Sequence, residues 1–258
     1  MKKYAICLLF LYFSLAFCEI TKQSYSGMLK LVTFKGHSIE FYDALKKNSG
    51  EVDDLWNRSF EYNFVTKGKL DYLVLNGYKE PLLALKSDEL LILFNNAEML
   101  FMGVNKPLNE EFIDFVPKLA TKCSTELKEG EKRYASENLC NLNLCEPWAE
   151  GEKGYGVGEK IFTSINGNGL LIFSGYVSYS NPKLYSDNPR PKRIKVLLKE
   201  RNREYIFELK DTPNPQRLEF EELYNGEIEI TLLDIYKGAR YKDTCINSIM
   251  YYIRVESF

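Results

Sequence analysis

Residues 194–209, which read IKVLLKERNREYIFEL, decide the fold class. Apolar side chains fill every second position on both sides of a turn signal at Arg201-Asn202, which is the pattern of two strands with one buried face each. Residues 166–169 (NGNG) predict another hairpin turn, and residues 246–255 form the last strand candidate. No helical stripe of ten residues interrupts this series, so the sequence predicts an all-β sandwich of two antiparallel sheets.

Residues 24–116 show the same kind of signal in shorter units. Short apolar segments are separated by turn signals such as Asn76-Gly77, which favours a small antiparallel domain built as a meander or half-barrel. Residues 43–57 predict a loop or one helical turn, and residues 110–119 predict a short connector. The strand candidates are residues 29–34, 60–65, 69–75, 82–85, 90–94 and 99–104.

The composition excludes several classes of function. The chain has 258 residues, of which 45% are apolar and 27% charged, and a formal net charge of −2, which is typical of a folded globular protein. It has no basic field to hold nucleic acid, so no nucleic-acid partner is expected. His37 is the single histidine, which removes most metal sites and any catalysis that needs two imidazoles. We therefore expect no catalytic residue, no metal and no cofactor.

The first 18 residues are typical of a signal peptide. Lys2 and Lys3 precede an almost continuous apolar run over residues 4–17, which is too short to span a bilayer. Cleavage before Glu19 predicts an exported protein of the periplasm, the outer surface or the medium, whereas Cys18 offers a lipid anchor as the alternative. No other segment of the sequence is long and apolar enough to cross a membrane, so we expect no transmembrane segment in the mature chain.

Four cysteines follow the leader, namely Cys123, Cys140, Cys145 and Cys245. An even number of cysteines in an oxidising compartment predicts disulfides. Four cysteines allow three pairings, and the sequence does not choose among them. CxxC spacing is absent, which argues against a zinc site.

Short motifs follow one another in order between residues 134 and 246. They include YASENL at 134–139, WAEG at 148–151, GYGVGE at 154–159, NPRPK at 188–192 and YKGARYKDTCI at 236–246. This series resembles the discoidin-like (coagulation-factor type C, galactose-binding-like) domain of bacterial NAD glycohydrolase toxins, a domain associated with toxin translocation and glycan binding. The resemblance covers about residues 120–255.

The resemblance implies a jelly-roll sandwich that binds through loops at one end and has no enzymatic role. It does not bring the glycohydrolase activity, because that activity lies in a separate catalytic domain with no counterpart in this chain. The expected domains are a signal peptide (1–18), a small antiparallel β domain of unknown family (19–117) and a discoidin-like jelly-roll binding domain (120–258).

Many discoidin-like domains hold a structural calcium ion, and the resemblance places Asn141, Leu142, Glu146 and Ser248 at the ligand positions. Calcium prefers several hard oxygens that include carboxylates, so we expect this site to be lost.

The cysteines offer a substitute for the missing ion. Cys140 and Cys145 bracket the same loop, where a short disulfide would replace calcium as the staple. Cys123 and Cys245, near the two ends of the domain, would then form the second pair.

The candidate ligand-binding residues centre on a Ser/Asn/Pro-rich segment that carries Tyr176, Tyr179 and Tyr185. Exposed tyrosines stack on sugar faces, while neighbouring amide and carboxylate groups read sugar hydroxyls. Arg190 is predicted to fork onto an anionic sugar or a carboxylate, although the basic residues that follow it are also explained as the solvated face of a hairpin. The predicted ligand-binding residues are Tyr155, Tyr176, Tyr179, Tyr185, Asp187, Asn188 and Arg190.

These features predict an exported, non-enzymatic binding protein whose jelly roll recognises a glycan or a cell-surface protein. One alternative is a structural component of the cell envelope in which the jelly roll docks on another protein. A second alternative is a hydrolase in the N-terminal half, but the sequence shows no paired histidine and nucleophile.

Overall fold

The computed structural model describes residues 23–27, 29–45, 55–87, 89–105, 112–117, 121–140, 144 and 146–255. Regular structure in these ranges is almost entirely antiparallel β, which confirms the predicted fold class. The predicted leader and the anchor at Cys18 lie outside the described residues. No helix in the described ranges is long and apolar enough to cross a membrane.

The first eight strands of the described chain close into an antiparallel barrel, where the sequence predicted a meander or half-barrel. Each strand pairs with the next one in sequence, and Ser26 pairs with Val104 to close the ring. Alternate side chains, among them Phe41, Leu93 and Phe101, fill the interior, as expected for a barrel of this size. The strands are β1 (Gln23–Gly27), β2 (Lys30–Lys35), β3 (Ser38–Asp43), β4 (Arg58–Lys67), β5 (Leu70–Leu75), β6 (Leu82–Lys86), β7 (Leu90–Asn95) and β8 (Glu98–Val104). The six predicted strands are confirmed, and β1 and β3 are additional.

The second half of the described chain is the predicted jelly-roll sandwich. Its elements are β9 (Phe112–Pro117), β10 (Thr121–Cys123), β11 (Lys128–Glu129), β12 (Lys132–Arg133), the 3₁₀ helix Ser136–Cys140, β13 (Trp148–Ala149), β14 (Lys160–Ser174), α1 (Lys183–Asp187), β15 (Arg190–Leu198), the 3₁₀ helix Lys199–Arg201, β16 (Arg203–Glu208), β17 (Gln216–Tyr236) and β18 (Cys245–Val255). The main sheet runs β13-β18-β14-β17-β15-β16, with β10 added to β14 and β9 added to β18.

One core cluster holds the sandwich together. Ile194 and Val196 of β15 meet Ile249 of β18 in this cluster, although the two strands are separated by β14 and β17 along the sheet. The sheet therefore folds over on itself around a common core. Trp148 is fully buried there and donates its indole N–H to Thr125 O (3.0 Å).

The predicted hairpin turn at residues 166–169 is wrong, because β14 continues through it with a register shift between Gly167 and Gly169. A Cβ on Gly167 would lie 2.5 Å from Tyr252 O, and a Cβ on Gly169 would lie 2.1 Å from Leu218 O. These glycines therefore let neighbouring strands approach closely at a bulge.

The predicted connector is also different in the structure. Residues 112–117 form β9 and pair with β18, from Phe112 opposite Val255 to Pro117 opposite Met250. A short apolar stripe fits a strand as well as a helical turn, which is why its spacing was misleading. The sandwich sheet thus begins before residue 120.

An apolar interface joins the barrel to the sandwich. Leu90, Ile92 and Phe94 of β7 point away from the barrel interior and share one buried cluster with Leu171 and Phe173 of β14. The intervening residues of β7 lie in the barrel interior, and those of β14 lie in the sandwich core. Both strands are therefore buried on two faces, which requires apolar residues at consecutive positions.

Polar contacts surround this interface. Tyr72 donates its hydroxyl to Tyr179 O (2.7 Å), and Tyr179 donates its own hydroxyl to Pro81 O (2.8 Å). Arg217 Nη1 of the sandwich lies 2.7 Å from Glu89 Oε2 of the barrel. The hydrogen bonds from both tyrosines satisfy groups that would otherwise be buried without partners.

The predicted Cys123–Cys245 disulfide is not formed, because both residues are free thiols, as is Cys140. Cys123 packs against the sandwich core, whereas Cys245 belongs to a separate cluster at the end of the sandwich. Cys145 lies outside the described residues, but Cys140 is a free thiol, so the predicted Cys140–Cys145 bond is not formed either.

We expect Phe173→Ala to destabilise the protein by about 3–5 kcal/mol, because it leaves a cavity in the interface. Thermal or urea unfolding, followed by tryptophan fluorescence, measures the loss. Phe64→Ala is the matched control, because Phe64 lies on the barrel with 42% of its surface exposed. This substitution should lower the free energy of unfolding by only about 1 kcal/mol. Equal losses in the two variants would contradict the interface.

Candidate functional site

Loops from distant parts of the sequence meet at one end of the sandwich and enclose a cavity of about 230 Å³. They are the β11–β12 hairpin, the segment that follows β14 and includes α1, and the loop between β17 and β18. We call this cavity the tyrosine pocket. Its lining residues are Leu127, Glu129, Tyr134, Ala149, Tyr176, Leu184, Asn188, Tyr241, Asp243 and Cys245.

A larger and more open recess of about 580 Å³ lies on the barrel, bordered by residues 40–44 and 57–59. It contains none of the predicted ligand-binding residues. The tyrosine pocket contains Tyr176 and Asn188 and is therefore the candidate site.

The aromatic wall of the pocket is built from Tyr134, Tyr176 and Tyr241. The rings of Tyr134 and Tyr176 have centroids 6.3 Å apart and are nearly perpendicular, at 74°. The Tyr134 hydroxyl donates to Glu129 Oε2 (3.2 Å). This wall combines apolar ring faces with polar edges, which suits ligands that carry both.

Glu126 fixes the hairpin that carries Tyr134. It accepts hydrogen bonds from Arg133 Nε (2.6 Å), from Ser136 N (2.8 Å) and from Ser136 Oγ (2.6 Å). Burial on its own raises the pKa of Glu126, but the bonds from Arg133 and Ser136 outweigh it and lower the pKa to about 2. The carboxylate is therefore ionised at every pH at which the protein is expected to work.

Glu150 fixes the loop that carries Asp243 and Cys245. Its fully buried carboxylate accepts hydrogen bonds from Thr244 N (3.2 Å) and Glu152 N (2.8 Å), and burial raises its pKa. A Cβ on Gly156 would lie 2.4 Å from the Glu150 side chain. The glycine-rich motif at residues 154–159 is therefore a loop that packs on a buried acid.

The third wall comes from residues 184–189. The carbonyl of Asp187 accepts hydrogen bonds from Arg240 N (3.0 Å) and Tyr241 N (2.9 Å), which ties this wall to the β17–β18 loop. Asn188 donates its side-chain amide to Leu184 O (2.9 Å). Leu184 and Asn188, the two lining residues of this wall, are thus held in place by hydrogen bonds within the segment and to the β17–β18 loop.

The pocket has an acidic character. Its described lining includes the carboxylates of Glu129 and Asp243 and no lysine or arginine. Burial raises the pKa of Asp243, and the neighbouring Glu129 carboxylate raises it further. No group of three or more His, Cys, Asp or Glu side chains in the described ranges is arranged to hold a metal ion.

The structure places the other predicted ligand-binding residues outside the pocket. Tyr155 is half-buried beside it and contributes its carbonyl, which accepts from Thr244 Oγ1 (2.8 Å). Tyr179 lies in the interface with the barrel, and Tyr185 is fully buried there, so neither is the exposed stacking residue that the sequence predicted. Asp187 acts through its carbonyl, as described above.

Arg190 is also not exposed to a ligand. Only 7% of its side chain is accessible, and it forms a two-point ion pair with Asp211, at 2.5 and 2.7 Å. The predicted fork onto a carboxylate is therefore present, but the carboxylate belongs to the same chain.

The basic residues that follow Arg190 face carboxylates across the sheet. Lys192 pairs with Asp234 (3.0 Å), and Lys195 pairs with Glu204 (2.7 Å). Lys199, Arg201 and Arg203 pair in the same way with Glu227, Glu222 and Glu221. The interpretation as a solvated hairpin face is thus the one that the structure supports.

Sequence reasoning missed Glu129, Tyr134, Tyr241 and Asp243 as pocket residues. Three of them lie within or beside the motifs that carried the family resemblance, at 134–139 and 236–246. Their position in those motifs was the available signal.

The folded-over sheet with a pocket at its loop end defines a discoidin-like jelly-roll domain of the binding-module class. Residues 114–252, more than half of the chain, match the family described as the NAD glycohydrolase translocation F5/8 type C domain. The chain belongs to this family.

Solved structures with a similar fold include carbohydrate-binding modules of family 32. The module of NanJ from C. perfringens, in complex with galactose, is 12% identical, with a TM-score of 0.41, over 55% of this chain and 99% of that chain. The module of AlyQ, in complex with 4,5-unsaturated mannuronic acid, is 15% identical, with a TM-score of 0.39, over 56% and 99%. No curated protein matches the chain.

Glu126 should give the protein an acid-sensitive stability. Its folded pKa of about 2 lies below the ordinary value of 4.5, so its contribution is complete above pH 4.5 and is lost as the pH falls towards 2. We expect Glu126→Gln to remove this part of the pH dependence, as measured by melting temperatures between pH 2.5 and 7. Glu137→Gln, at a neighbouring carboxylate with 70% of its side chain exposed, is the control and should lower the melting temperature at pH 7 less than Glu126→Gln does. Identical profiles for Glu126→Gln and the wild type would contradict this role.

Proposed function

We propose that this protein is an exported, non-enzymatic glycan-binding protein that holds a neutral sugar in the tyrosine pocket. The observation that carries the proposal is the pocket itself, in which three tyrosines, one asparagine and two carboxylates converge at the loop end of the sandwich. Membership in a family of F5/8 type C domains supports a binding role for this end of the fold.

The lining chemistry suits a sugar. A pyranose ring has an apolar face that packs on tyrosine rings, and its hydroxyls can donate to carboxylates and exchange hydrogen bonds with an amide. Tyr134 and Tyr176 supply two perpendicular rings, Asn188 supplies the amide, and Glu129 and Asp243 supply acceptors. Such a set of a few polar groups among aromatic surfaces is the usual composition of a small-molecule site.

The charge of the pocket selects among sugars. An anionic glycan would place its carboxylate or sulfate near Glu129 and Asp243 without a basic lining residue to compensate it. A neutral glycan meets no such repulsion. We therefore expect neutral glycans to bind and sialylated or uronic-acid glycans to be rejected.

Two further features support the other parts of the proposal. The leader expected for residues 1–18 supports export. Burial raises the pKa of the Cys245 thiol, so the cysteine in the pocket is a poor nucleophile, which supports binding without covalent catalysis.

A glycan array of neutral and anionic members, probed with the full mature chain, tests this function. We expect signals from neutral glycans, and signals at least about tenfold weaker from their sialylated counterparts. A blank array, or a preference for anionic glycans, would contradict the proposed site. Release of reducing sugar from a bound glycan would contradict the non-enzymatic part.

Pocket variants assign the binding to this site. Tyr176→Ala should lower the affinity for the strongest-binding neutral glycan of the array by about tenfold or more, because it removes a stacking surface. Isothermal titration calorimetry measures this loss. Tyr42→Ala is the matched control, since Tyr42 is 55% exposed on the barrel. Equal weakening by the two variants would place the sugar elsewhere.

Binding should also depend on pH through Asp243. Ionised carboxylate oxygens are stronger acceptors for sugar hydroxyls than the oxygens of the protonated acid, so affinity should be constant above the raised pKa of Asp243 and fall as the pH drops through it. The fall should begin at a higher pH than the ordinary value of 3.8 for an aspartate. Asp243→Asn should lower the affinity at neutral pH and flatten this dependence without loss of stability, because the removed charge is disfavoured by burial. An unchanged pH profile in this variant would exclude Asp243 as the acceptor.

A further inference from the structure

The barrel reaches the wall of the tyrosine pocket through Lys69. Its Nζ lies 2.6 Å from Asp211 Oδ2 and 3.2 Å from Asp211 O, across the interface between barrel and sandwich. The preceding Gly68, in the β4–β5 turn, lies against the start of α1, because a Cβ added to it would be 3.6 Å from Pro182 O. The barrel therefore contacts the segment that leads into the pocket wall.

Asp211 also binds Arg190, which connects Lys69 to the sandwich residues beside the pocket. The guanidinium binds both carboxylate oxygens, and its carbon atom lies 4.8 Å from the centre of the Tyr185 ring. Burial alone raises the pKa of Asp211, but hydrogen bonds from Arg190 and Lys69 outweigh it and lower the pKa, so the carboxylate remains ionised. Two cations, Lys69 and Arg190, thus share one half-buried anion.

Arg190 in turn holds the wall. Its Nη1 donates to Asn188 O (3.2 Å) and to Tyr185 O (3.4 Å). Asn188 and Leu184 line the pocket, and the carbonyl of Asp187 between them binds the backbone N–H of Tyr241. A shift of Arg190 would therefore move two of the three walls.

We propose that Lys69 is a positioning residue through which docking of the barrel sets the shape, and hence the sugar affinity, of the tyrosine pocket. The proposal rests on the proposed function in assuming that the sugar binds in this pocket. In physical terms, the barrel orders residues 184–190 through a series of contacts that runs from Lys69 to Asp211 and from Asp211 to Arg190. Mutations along a contiguous polar network can change the properties of a distant site without touching its ligand.

The chain supplies a matched control. Arg217 and Glu89 form a second ion pair between barrel and sandwich, and in both pairs each side chain is between 24% and 44% exposed. Arg217 lies opposite Leu171 in the register of β14 and β17 and makes no contact with the pocket wall in the described hydrogen bonds. Lys69→Met and Glu89→Gln thus each remove one interdomain ion pair, but only the first is connected to the pocket.

The experiment measures amide hydrogen exchange in the full mature chain without sugar, followed by calorimetric titration with the strongest-binding neutral glycan of the array. In Lys69→Met we expect exchange at residues 184–190 and at Tyr241 to accelerate by about tenfold and the affinity to fall by a similar factor. Glu89→Gln should leave both unchanged, and Lys69→Arg should restore both, because it keeps the positive charge.

Unchanged exchange at residues 184–190 in Lys69→Met would overturn the proposal. Equal acceleration in Glu89→Gln would also overturn it, because a general loosening of the interface would then explain the effect. Accelerated exchange with unchanged affinity would refute the link to binding. If the wild-type protein binds no glycan, the proposed function fails, while the exchange data still decide whether Lys69 orders the wall.

Discussion

Burial of β14 on two faces is the constraint on which the rest of the structure depends. Leu170 and Ile172 enter the sandwich core, while Leu171 and Phe173 enter the interface with the barrel. Side chains alternate along a strand, so a shift of one residue would exchange the two sets. The side chains that fit the sandwich core would then face the barrel, and those that fit the interface would face the sandwich core. The residues that set the register of the sandwich therefore also set the position of the barrel upon it.

This constraint determines where the pocket forms. β14 ends at Ser174, and the chain that follows it lies between the barrel and the loop end of the sandwich. Tyr176 enters the pocket, whereas Tyr179 and Tyr185 enter the interface, only a few residues later. One short segment thus contributes side chains to both surfaces. The chain of contacts from Lys69 to Asn188 is a direct consequence of this shared segment.

Local alternation of apolar residues was sufficient to predict the all-β class and most strands. It could not predict closure of the barrel, because closure depends on the pairing of Ser26 with Val104, which are far apart in sequence. The runs at 90–94 and 170–173 carried the signal for burial on two faces, but a sequence does not show which surface covers the second face. Tyr176 and Asn188 were predicted as site residues from local composition. Glu129, Tyr134, Tyr241 and Asp243 were missed because they come from other loops, which only the folded topology brings together.

Arg190 illustrates why residue type predicts chemistry better than it predicts the partner. The sequence suggested a guanidinium that binds a carboxylate at two points, and the structure contains that interaction, with Asp211 as the carboxylate. Several other basic side chains of the sandwich also pair with carboxylates of the same chain, as Lys195 and Glu204 show. In the pocket the described lining breaks this pattern, since Glu129 and Asp243 lie among tyrosines with no lysine or arginine in the wall. A neutral ligand that donates hydroxyl groups would satisfy these acceptors without adding charge, and this is the chemical basis of the proposal that the pocket holds a neutral sugar.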